Sequence, residues 1–166
     1  MGKGMGSHQS PKMMKDEWLT PPEILSVLGK FDLDPCSPIN RPWDTAATHY
    51  TIENDGLTKP WFGRVWCNPP YGTQTWRWLK KIADHKNGIA LIFARTETKM
   101  FFKYVWEKAH SILFLKGRLS FFHITGQKAL NNSGAPSVLV SYNKKNTEVL
   151  KISGLDGILI KLKEED

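Results

Sequence analysis

An unbroken apolar run, GIALIFA at residues 88–94, is the feature of this sequence that most restricts its fold. A run without any polar residue is typical of a β-strand that is covered on both faces. Segments with helical periodicity flank the run, and further short apolar segments precede and follow them. This alternation of strand, helix, strand, helix and strand predicts an α/β protein with a doubly wound, mostly parallel sheet.

The other predicted strands are short apolar segments that end at turn-forming residues. They are FDLD (31–34), RVWCN (64–68), SILFLK (111–116) and SVLVSY (137–142). The predicted helices beside the long run are WRWLKKIADHK (76–86) and KMFFKYVWEKA (99–109), in which apolar residues recur on one face. Near the C-terminal end, EVLKIS (148–153) and GILIKL (157–162) surround a Gly-Leu-Asp-Gly turn, and this pattern predicts a β-hairpin.

The segment LTPPEILSVLG predicts a short helix before the first of these strands. Thr20 followed by Glu23 is a capping-box pattern, and Pro21 would then occupy the first helical position, where its missing N–H costs nothing. Gly29 supplies the stop.

The turn RVWCNPPYG follows the second predicted strand, and its two prolines cannot continue a strand or a helix. Pro69 and Pro70 have no backbone N–H, and their fixed φ directs the chain out of the sheet. In doubly wound sheets, ligands bind outside the carboxyl ends of the strands. Asp34 and Asn68 both lie at such ends, so the sequence predicts a ligand site between their two turns.

The residues of this turn suit a planar exocyclic amine, such as N6 of adenine. The amine must withdraw its lone pair from the ring before it can attack a methyl group, and two acceptors that bind its hydrogens assist this. The side-chain oxygen of Asn68 and the carbonyl of Pro69 are such acceptors, and proline fixes the carbonyl's direction in advance. Tyr71 offers a flat face on which an extruded base can stack. A stiff structural turn is the alternative interpretation.

Five segments in this order resemble the phage-type DNA N6-adenine methyltransferases, which transfer a methyl group from S-adenosylmethionine. They are WLTPPE (18–23), FDLDPCS (31–37), YTIENDGL (50–57), VWCNPPYG (65–72) and KGRLSF (116–121). The resemblance implies a compact Rossmann-like methyltransferase fold and S-adenosylmethionine as the cofactor, with S-adenosylhomocysteine as its product. It also implies DNA as the partner, no metal, and a phage or prophage origin. The Asn-Pro-Pro-Tyr motif alone is less specific, because it also serves methyltransferases that act on glutamine or on RNA bases.

The resemblance also implies roles for individual residues. Those that would hold the target amine and base are Asn68, Pro69, Pro70 and Tyr71. Those that would line the cofactor site are Trp18, Thr20, Pro21, Asp34, Pro35, Cys36, Ser37 and Asp55. Four of these have purely structural alternatives, with Thr20 as a helix cap, Asp55 as a turn residue, Tyr71 as a core aromatic residue and Trp18 as a packing residue.

The chain departs from the methyltransferase pattern in two respects. No glycine-rich motif follows Asp34, where most methyltransferases carry one. The interval from Asp34 to Asn68 is also short for two full βα units, so we expect lost or shortened strands in the sheet.

The polar segment at residues 117–136 is the predicted place of DNA contact, since the chain has no room for a separate target-recognition domain. Phe121 or Phe122 would pack against the second face of the flipped base. The remaining candidates for DNA contact are Arg95, Lys99, Arg118 and Lys128. A plain surface loop is the alternative for this segment.

The net charge and the two cysteines restrict the possible functions and cellular locations further. The net charge of +7 favours a polyanionic partner, although many basic proteins bind no nucleic acid. Cys36 and Cys67 form neither a disulfide framework nor a zinc-ligand pattern, which favours free thiols in a cytoplasmic protein. With 166 residues, the chain predicts a flexible basic arm over residues 1–15 and a single domain over residues 16–166. No apolar run is long enough to span a membrane.

Taken together, the sequence predicts an S-adenosylmethionine-dependent methyltransferase that acts on adenine N6 in DNA. Two alternatives stay open. The same chemistry could serve RNA or a glutamine side chain of a protein, although a glutamine enzyme would be expected to carry a glycine-rich loop and an added helical domain. A basic nucleic-acid-binding module without catalysis is the second alternative.

Overall fold

The structure, a computed structural model, describes residues 18–131 and 133–165. The predicted arm at residues 1–15 lies outside the described residues. A seven-stranded sheet contains β2 (Leu33–Asp34), β3 (Thr48–His49), β4 (Val65–Cys67), β5 (Gly88–Phe93), β6 (Ser111–Leu115), β8 (Ser137–Ser141) and β9 (Gly157–Lys161). A separate two-stranded sheet pairs β1 (Trp18–Leu19) with β7 (Phe122–His123).

The strand order of the large sheet is β3-β2-β4-β5-β8-β6-β9. The pairings β2–β3, β2–β4 and β4–β5 are parallel. The pairings of β8 with β5 and β6, and of β9 with β6, are antiparallel. Five of the seven strands therefore run in one direction, while β8 and β9 run in the other. The sheet is mixed in its pairings and compatible with a Rossmann-like fold.

Helices cover both faces of the sheet, as the apolar run predicts. The helical segments are α1 (Pro22–Leu28), α2 (Thr75–His85), α3 (Lys99–Phe101, continued by the π-helical turn Phe102–Trp106) and α4 (Lys144–Ile152). All six residues of β5 are buried, and the five that follow Gly88 alternate between two apolar clusters. Ala90 and Ile92 pack with α2 and α3 on one face. Ile89, Leu91 and Phe93 pack with α1 and α4 on the other. No helix in the described part of the chain is long and apolar enough to cross a membrane.

The predicted C-terminal β-hairpin is wrong. Residues 144–152 form helix α4, and β9 pairs with β6 instead. The buried face of this helix is partly polar, which hides its helical periodicity from an apolar pattern. Asn146 accepts a hydrogen bond from Arg64 Nε over 2.6 Å, and the Thr147 hydroxyl lies 2.7 Å from that of Ser111 and 2.9 Å from that of Ser141. These partners come from distant parts of the chain.

The predicted helix before β2 exists, but its predicted capping box is wrong. The helix begins at Pro22, Pro21 takes the N-cap position, and no side chain of the described residues caps it. The predicted stop at Gly29 is confirmed, because this residue adopts a left-handed φ of 81° directly after the helix. Thr20 is thus free of a capping function, and its hydroxyl contacts another part of the chain.

Between β2 and β4, the order in which successive strands are added across the sheet reverses. From β2 it moves outward to β3 and then crosses to β4 and β5 on the opposite side. Such a switch point leaves a crevice at the carboxyl ends of the two central strands. Residues 35–64 contain only the two-residue strand β3 and no helix, so the expectation of shortened strands in this interval is confirmed.

Candidate active site at the switch point of the sheet

The turn after β4 is held from both sides by hydrogen bonds. Asn68 Nδ2 donates to the hydroxyl of Thr20 over 3.3 Å, and Thr20 is only 2% exposed. The Cys36 thiol donates to the backbone carbonyl of Asn68 over 3.2 Å. The residues before α1 and the turn after β2 therefore fix both the side chain and the backbone of Asn68.

Two acceptors of this turn have no hydrogen-bond donor among residues 18–131 and 133–165, namely Asn68 Oδ1 and the Pro69 carbonyl. The next carbonyl is occupied, because the Thr75 hydroxyl donates to the Pro70 oxygen over 2.6 Å. This bond ties the turn to the first residue of α2. The two unoccupied acceptors are the same two groups that the sequence assigns to a substrate amine, and they belong to consecutive residues.

Tyr71 lies against the end of the neighbouring strand. Its ring stacks on Phe93 with 4.2 Å between centroids and an interplanar angle of 5°. Burial raises the pKa of the Tyr71 phenol, so the side chain is neutral at physiological pH. The Arg95 guanidinium lies 5.8 Å from the centroid of the Phe93 ring. The sequence did not single out Phe93, although its place at the end of the apolar run indicates a position beside the Asn68 turn.

Asp34 is a buried carboxylate at the end of β2, with 4% of its surface exposed. Cys36 N–H donates to Oδ1 over 3.1 Å, and the Thr45 hydroxyl donates to Oδ2. Burial raises the pKa of Asp34 to about 6, against the opposing effects of these hydrogen bonds and of the charge of Arg41. A buried carboxylate with two neutral donors and no ion pair among the described residues is suited to binding a cationic or hydroxyl-bearing ligand.

The other residues of the Asp34 turn are also packed tightly. Pro35 and Ser37 are buried, and Ser37 N–H donates to the Tyr50 carbonyl over 2.9 Å. A side chain at Gly56 would collide with the Pro35 carbonyl, so only glycine fits at this point. This close approach brings the preceding residue, Asp55, next to the turn. Asp55 is exposed, with a left-handed φ of 55°.

Cys36 and Cys67 are free thiols whose sulfur atoms lie 4.0 Å apart. The contact with Cys67, followed by burial, raises the pKa of the Cys36 thiol. Cys36 is therefore a neutral hydrogen-bond donor at neutral pH and not a nucleophile.

The segment at residues 117–136 is joined to the residues before α1 through the small sheet. Trp18 pairs with His123, and their rings lie 4.4 Å apart between centroids. Phe122 meets Trp43 edge to face at 5.4 Å. The segment thus lies next to the strand that leads to Thr20 and so to the Asn68 turn. Trp43 is a neighbour that the sequence did not indicate.

The candidate DNA-contact residues differ in their surroundings. Phe121 is only 3% exposed and belongs to the core, whereas Phe122 is half-buried, so Phe122 is the better placed of the two for a base. Lys99, Arg118 and Lys128 are exposed. Among the described residues, the side-chain hydrogen bonds of the Asn68 and Asp34 turns involve other residues than these three. The residues described contain no group of three or more potential metal ligands.

A mixed sheet has a crevice at its switch point, and the turn there carries two acceptors without a donor among the described residues, so the structure defines an α/β protein with a turn that can accept hydrogen bonds from a ligand. The family model of the DNA N-6-adenine-methyltransferases (Dam) matches residues 7–157. The chain belongs to this family, and its membership supports methylation of adenine N6 in DNA in general. The searches of curated proteins and of solved structures give no match.

Proposed function

We propose that the chain transfers a methyl group from S-adenosylmethionine to the N6 amino group of adenine in DNA, with Asn68 and Pro69 as the amine-binding acceptors. The observation that carries this proposal is the pair of unoccupied acceptors on consecutive residues at the switch point. An exocyclic amine has two hydrogens in one plane, and it matches two acceptors that are held in advance by the surrounding structure.

In this reaction the protein mainly binds the two reactants and aligns them. When bound, S-adenosylmethionine supplies an electrophilic methyl group. As N6 forms its bond to the methyl carbon, the bond from that carbon to the sulfonium sulfur breaks and S-adenosylhomocysteine is the product that leaves. The amine becomes positively charged and its protons become acidic. Asn68 Oδ1 and the Pro69 carbonyl stabilise this developing charge through the hydrogen bonds that they accept, and one proton then passes to solvent. A strong base is not required, and none of the four residues of the turn is one.

The target base needs a flat surface once it has left the duplex. Tyr71 is held parallel to Phe93 on one side, which fixes the plane of its ring. A ring fixed in this way can stack on a base without losing further conformational freedom. Phe122, half-buried beside Trp43, is the proposed contact for the other face of the base.

The cofactor site is proposed at the Asp34 turn and the residues before α1. Asp34 fits a cation or a pair of hydroxyl groups, because it is buried without an ion pair among the described residues. Trp18, Thr20 and Pro21 approach the same crevice through the Thr20–Asn68 contact, and the turn continues through Pro35, Cys36 and Ser37. Asp55 is the proposed second carboxylate, because Gly56 packs directly on Pro35.

The experiment that tests this function is incubation of the purified protein with radiolabelled S-adenosylmethionine and separate pools of DNA, RNA and protein, followed by nucleoside and amino-acid analysis. We expect label in N6-methyladenine from DNA. Label in an RNA nucleoside or in N-methylglutamine would replace the proposed substrate. Binding of DNA without cofactor binding by calorimetry would leave a non-catalytic nucleic-acid-binding module.

Arg118 and Lys128 are proposed to bind DNA phosphates, together with Arg95 and Lys99. We expect Arg118→Ala and Lys128→Ala each to weaken DNA binding similarly for all sequences and to flatten its salt dependence by about one unit per lost phosphate contact. The measurement is DNA affinity over a salt series. Lys151→Ala is the matched control, because Lys151 is also exposed but lies on α4. Unchanged salt slopes in both variants would return residues 117–136 to a plain surface loop.

The single domain over residues 16–166, the cytoplasmic location and the phage or prophage origin remain predictions. A DNA substrate is consistent with an intracellular place of action.

A further inference from the structure

The ring of His49 lies at the centre of a loop that reaches the Asp34 carboxylate. His49 ends β3 and pairs with Asp34 across the parallel ladder, and only 6% of its side chain is exposed. The backbone N–H groups of Thr45 and Ala46 donate to His49 Nε2 over 3.1 and 3.3 Å. A single ring nitrogen therefore fixes two consecutive residues of an otherwise irregular loop.

Thr45 transmits this restraint to Asp34. The hydroxyl of Thr45 donates to Asp34 Oδ2, while Cys36 N–H donates to Oδ1. Residues 41–47 form neither helix nor strand, so regular backbone hydrogen bonding does not hold Thr45 in place. Its direction depends on side chains that anchor the loop, and the largely buried His49 side chain is one of them.

The surroundings of His49 favour its neutral form, in which a ring nitrogen can accept. Arg41 Nη2 lies 3.0 Å from Nδ1, and the exposed Asp44 carboxylate lies 3.9 Å from Nε2. Burial lowers the pKa of His49, and the charge of Arg41 lowers it further against the opposing effect of Asp44. When Nε2 accepts, the one ring proton of neutral His49 is on Nδ1, so the 3.0 Å approach of Arg41 Nη2 to that atom is a contact and not a hydrogen bond. A second proton, on Nε2, would face two backbone N–H donors, which is unfavourable.

We propose that His49 is a positioning residue for the cofactor site, because it accepts the Thr45 and Ala46 N–H groups and so holds the Thr45 hydroxyl on the Asp34 carboxylate. The part of this proposal that concerns the cofactor rests on the proposed function. His49 itself touches neither the base nor the groups that react, and it acts only through Thr45.

The first test needs no cofactor. The Thr45 hydroxyl bond favours the ionised form of Asp34, so its loss should raise the pKa of that carboxyl, read from its carbon resonance in an NMR titration of the free protein. We expect Thr45→Val and His49→Ala to raise it by about half a unit or more. His49→Gln, whose side-chain oxygen can accept both N–H groups, should stay near the wild-type value. The double variant should go no further than Thr45→Val alone.

The second test is calorimetry with S-adenosylmethionine. We expect His49→Ala to weaken its binding about fivefold to tenfold, as for the loss of one ordinary hydrogen bond. The kcat at saturating cofactor should stay within about twofold, because the Asn68 turn is untouched. His85→Ala is the matched control, since His85 lies at the end of α2 and contacts the Gly63 carbonyl instead.

An unmoved Asp34 pKa in His49→Ala, or additive effects of the two substitutions, would overturn the proposal. If His49→Ala does not fold, His49→Asn replaces it. The shorter amide does not reach the position of Nε2, so the same rise is expected and a wild-type pKa would again overturn the proposal. If the wild type binds no S-adenosylmethionine, the proposed function fails, and the titration still decides the role of His49.

Discussion

Asn68→Ala is expected to lose methyl transfer by about a hundredfold or more while it binds S-adenosylmethionine as tightly as the wild type. The substitution removes the Oδ1 acceptor, which has no donor in the described part of the free protein and is proposed to bind the amine as its charge develops. Removal of one such preorganised group typically costs about two to three orders of magnitude in kcat. The measurements are single-turnover methylation of DNA and calorimetry with the cofactor.

Two further variants sharpen this result. Asn68→Asp keeps an oxygen acceptor at the same place, so it should retain more activity than the alanine variant. Asn40→Ala is the matched control, because Asn40 is exposed in a turn outside the site. Near-normal turnover of Asn68→Ala would remove this residue from the mechanism, and a parallel loss of cofactor affinity would instead place it in the cofactor site.

The parts of the fold that the sequence predicts correctly depend on local patterns. The run in β5 shows its double burial directly, and the prolines at residues 69 and 70 end β4 by their own covalent geometry. Gly29 ends α1 because its backbone reaches a left-handed φ without strain. In each case the interactions that determine the local structure involve residues close together in the chain. The pattern can therefore be recognised without the tertiary structure.

The parts that the sequence predicts wrongly or misses depend on distant partners. Helix α4 buries Asn146 and Thr147 against hydroxyl, amide and guanidinium groups from other elements, so its helical face is not apolar. Thr20 fits a capping box by spacing, but its hydroxyl meets Asn68 across the site. A helix cap contributes about 1 kcal/mol, and a hydrogen bond in a buried site can readily exceed that contribution.

The candidate site likewise has parts that the sequence predicts and parts that it does not. The turns that carry Asp34 and Asn68 are evident from the sequence, because strand ends and prolines identify them. The residues that support these turns are not evident. Thr45, His49 and Phe93 gain their roles only from the register of β2 with β3 and of β4 with β5. A single sequence contains no signal for that register beyond the apolar pattern of each strand.

The burial of Asp34 predicts that the free protein loses stability when this carboxyl ionises. Its pKa in the folded protein is about 6, compared with an ordinary value of 3.8. Because the folded value is the higher one, the folded state binds the proton more tightly than the unfolded chain. The penalty is therefore absent below about pH 3.8, grows as the pH rises, and is complete above about pH 6. At about 1.36 kcal/mol per pH unit, the difference corresponds to about 3 kcal/mol. A bound cation would offset part of this penalty.

Asp34→Asn is therefore expected to stabilise the free protein while it weakens cofactor binding. The amide oxygen can still accept from Cys36 N–H, and the amide nitrogen can donate to the Thr45 hydroxyl, so both present contacts have replacements. We expect the free energy of unfolding at pH 8 to rise by about 1 to 3 kcal/mol, measured with denaturant in the absence of ligand. The gain should shrink as the pH falls from 6 towards 4, where the wild-type carboxyl becomes protonated. Affinity for S-adenosylmethionine should fall about tenfold to a hundredfold, as for the loss of a charge-assisted hydrogen bond.

Asp84→Asn controls for the loss of one negative charge, because Asp84 is exposed on α2 and forms an ion pair with Lys80 on the same helix. This variant should change the free energy of unfolding at pH 8 by less than about 0.5 kcal/mol, and it should leave the cofactor affinity unchanged. A destabilised Asp34→Asn variant would show that the carboxylate contributes more to the fold than its burial costs. A stabilised variant with wild-type cofactor affinity would move the cofactor's cationic or hydroxyl groups away from Asp34, and Asp55 would then be the carboxylate to test.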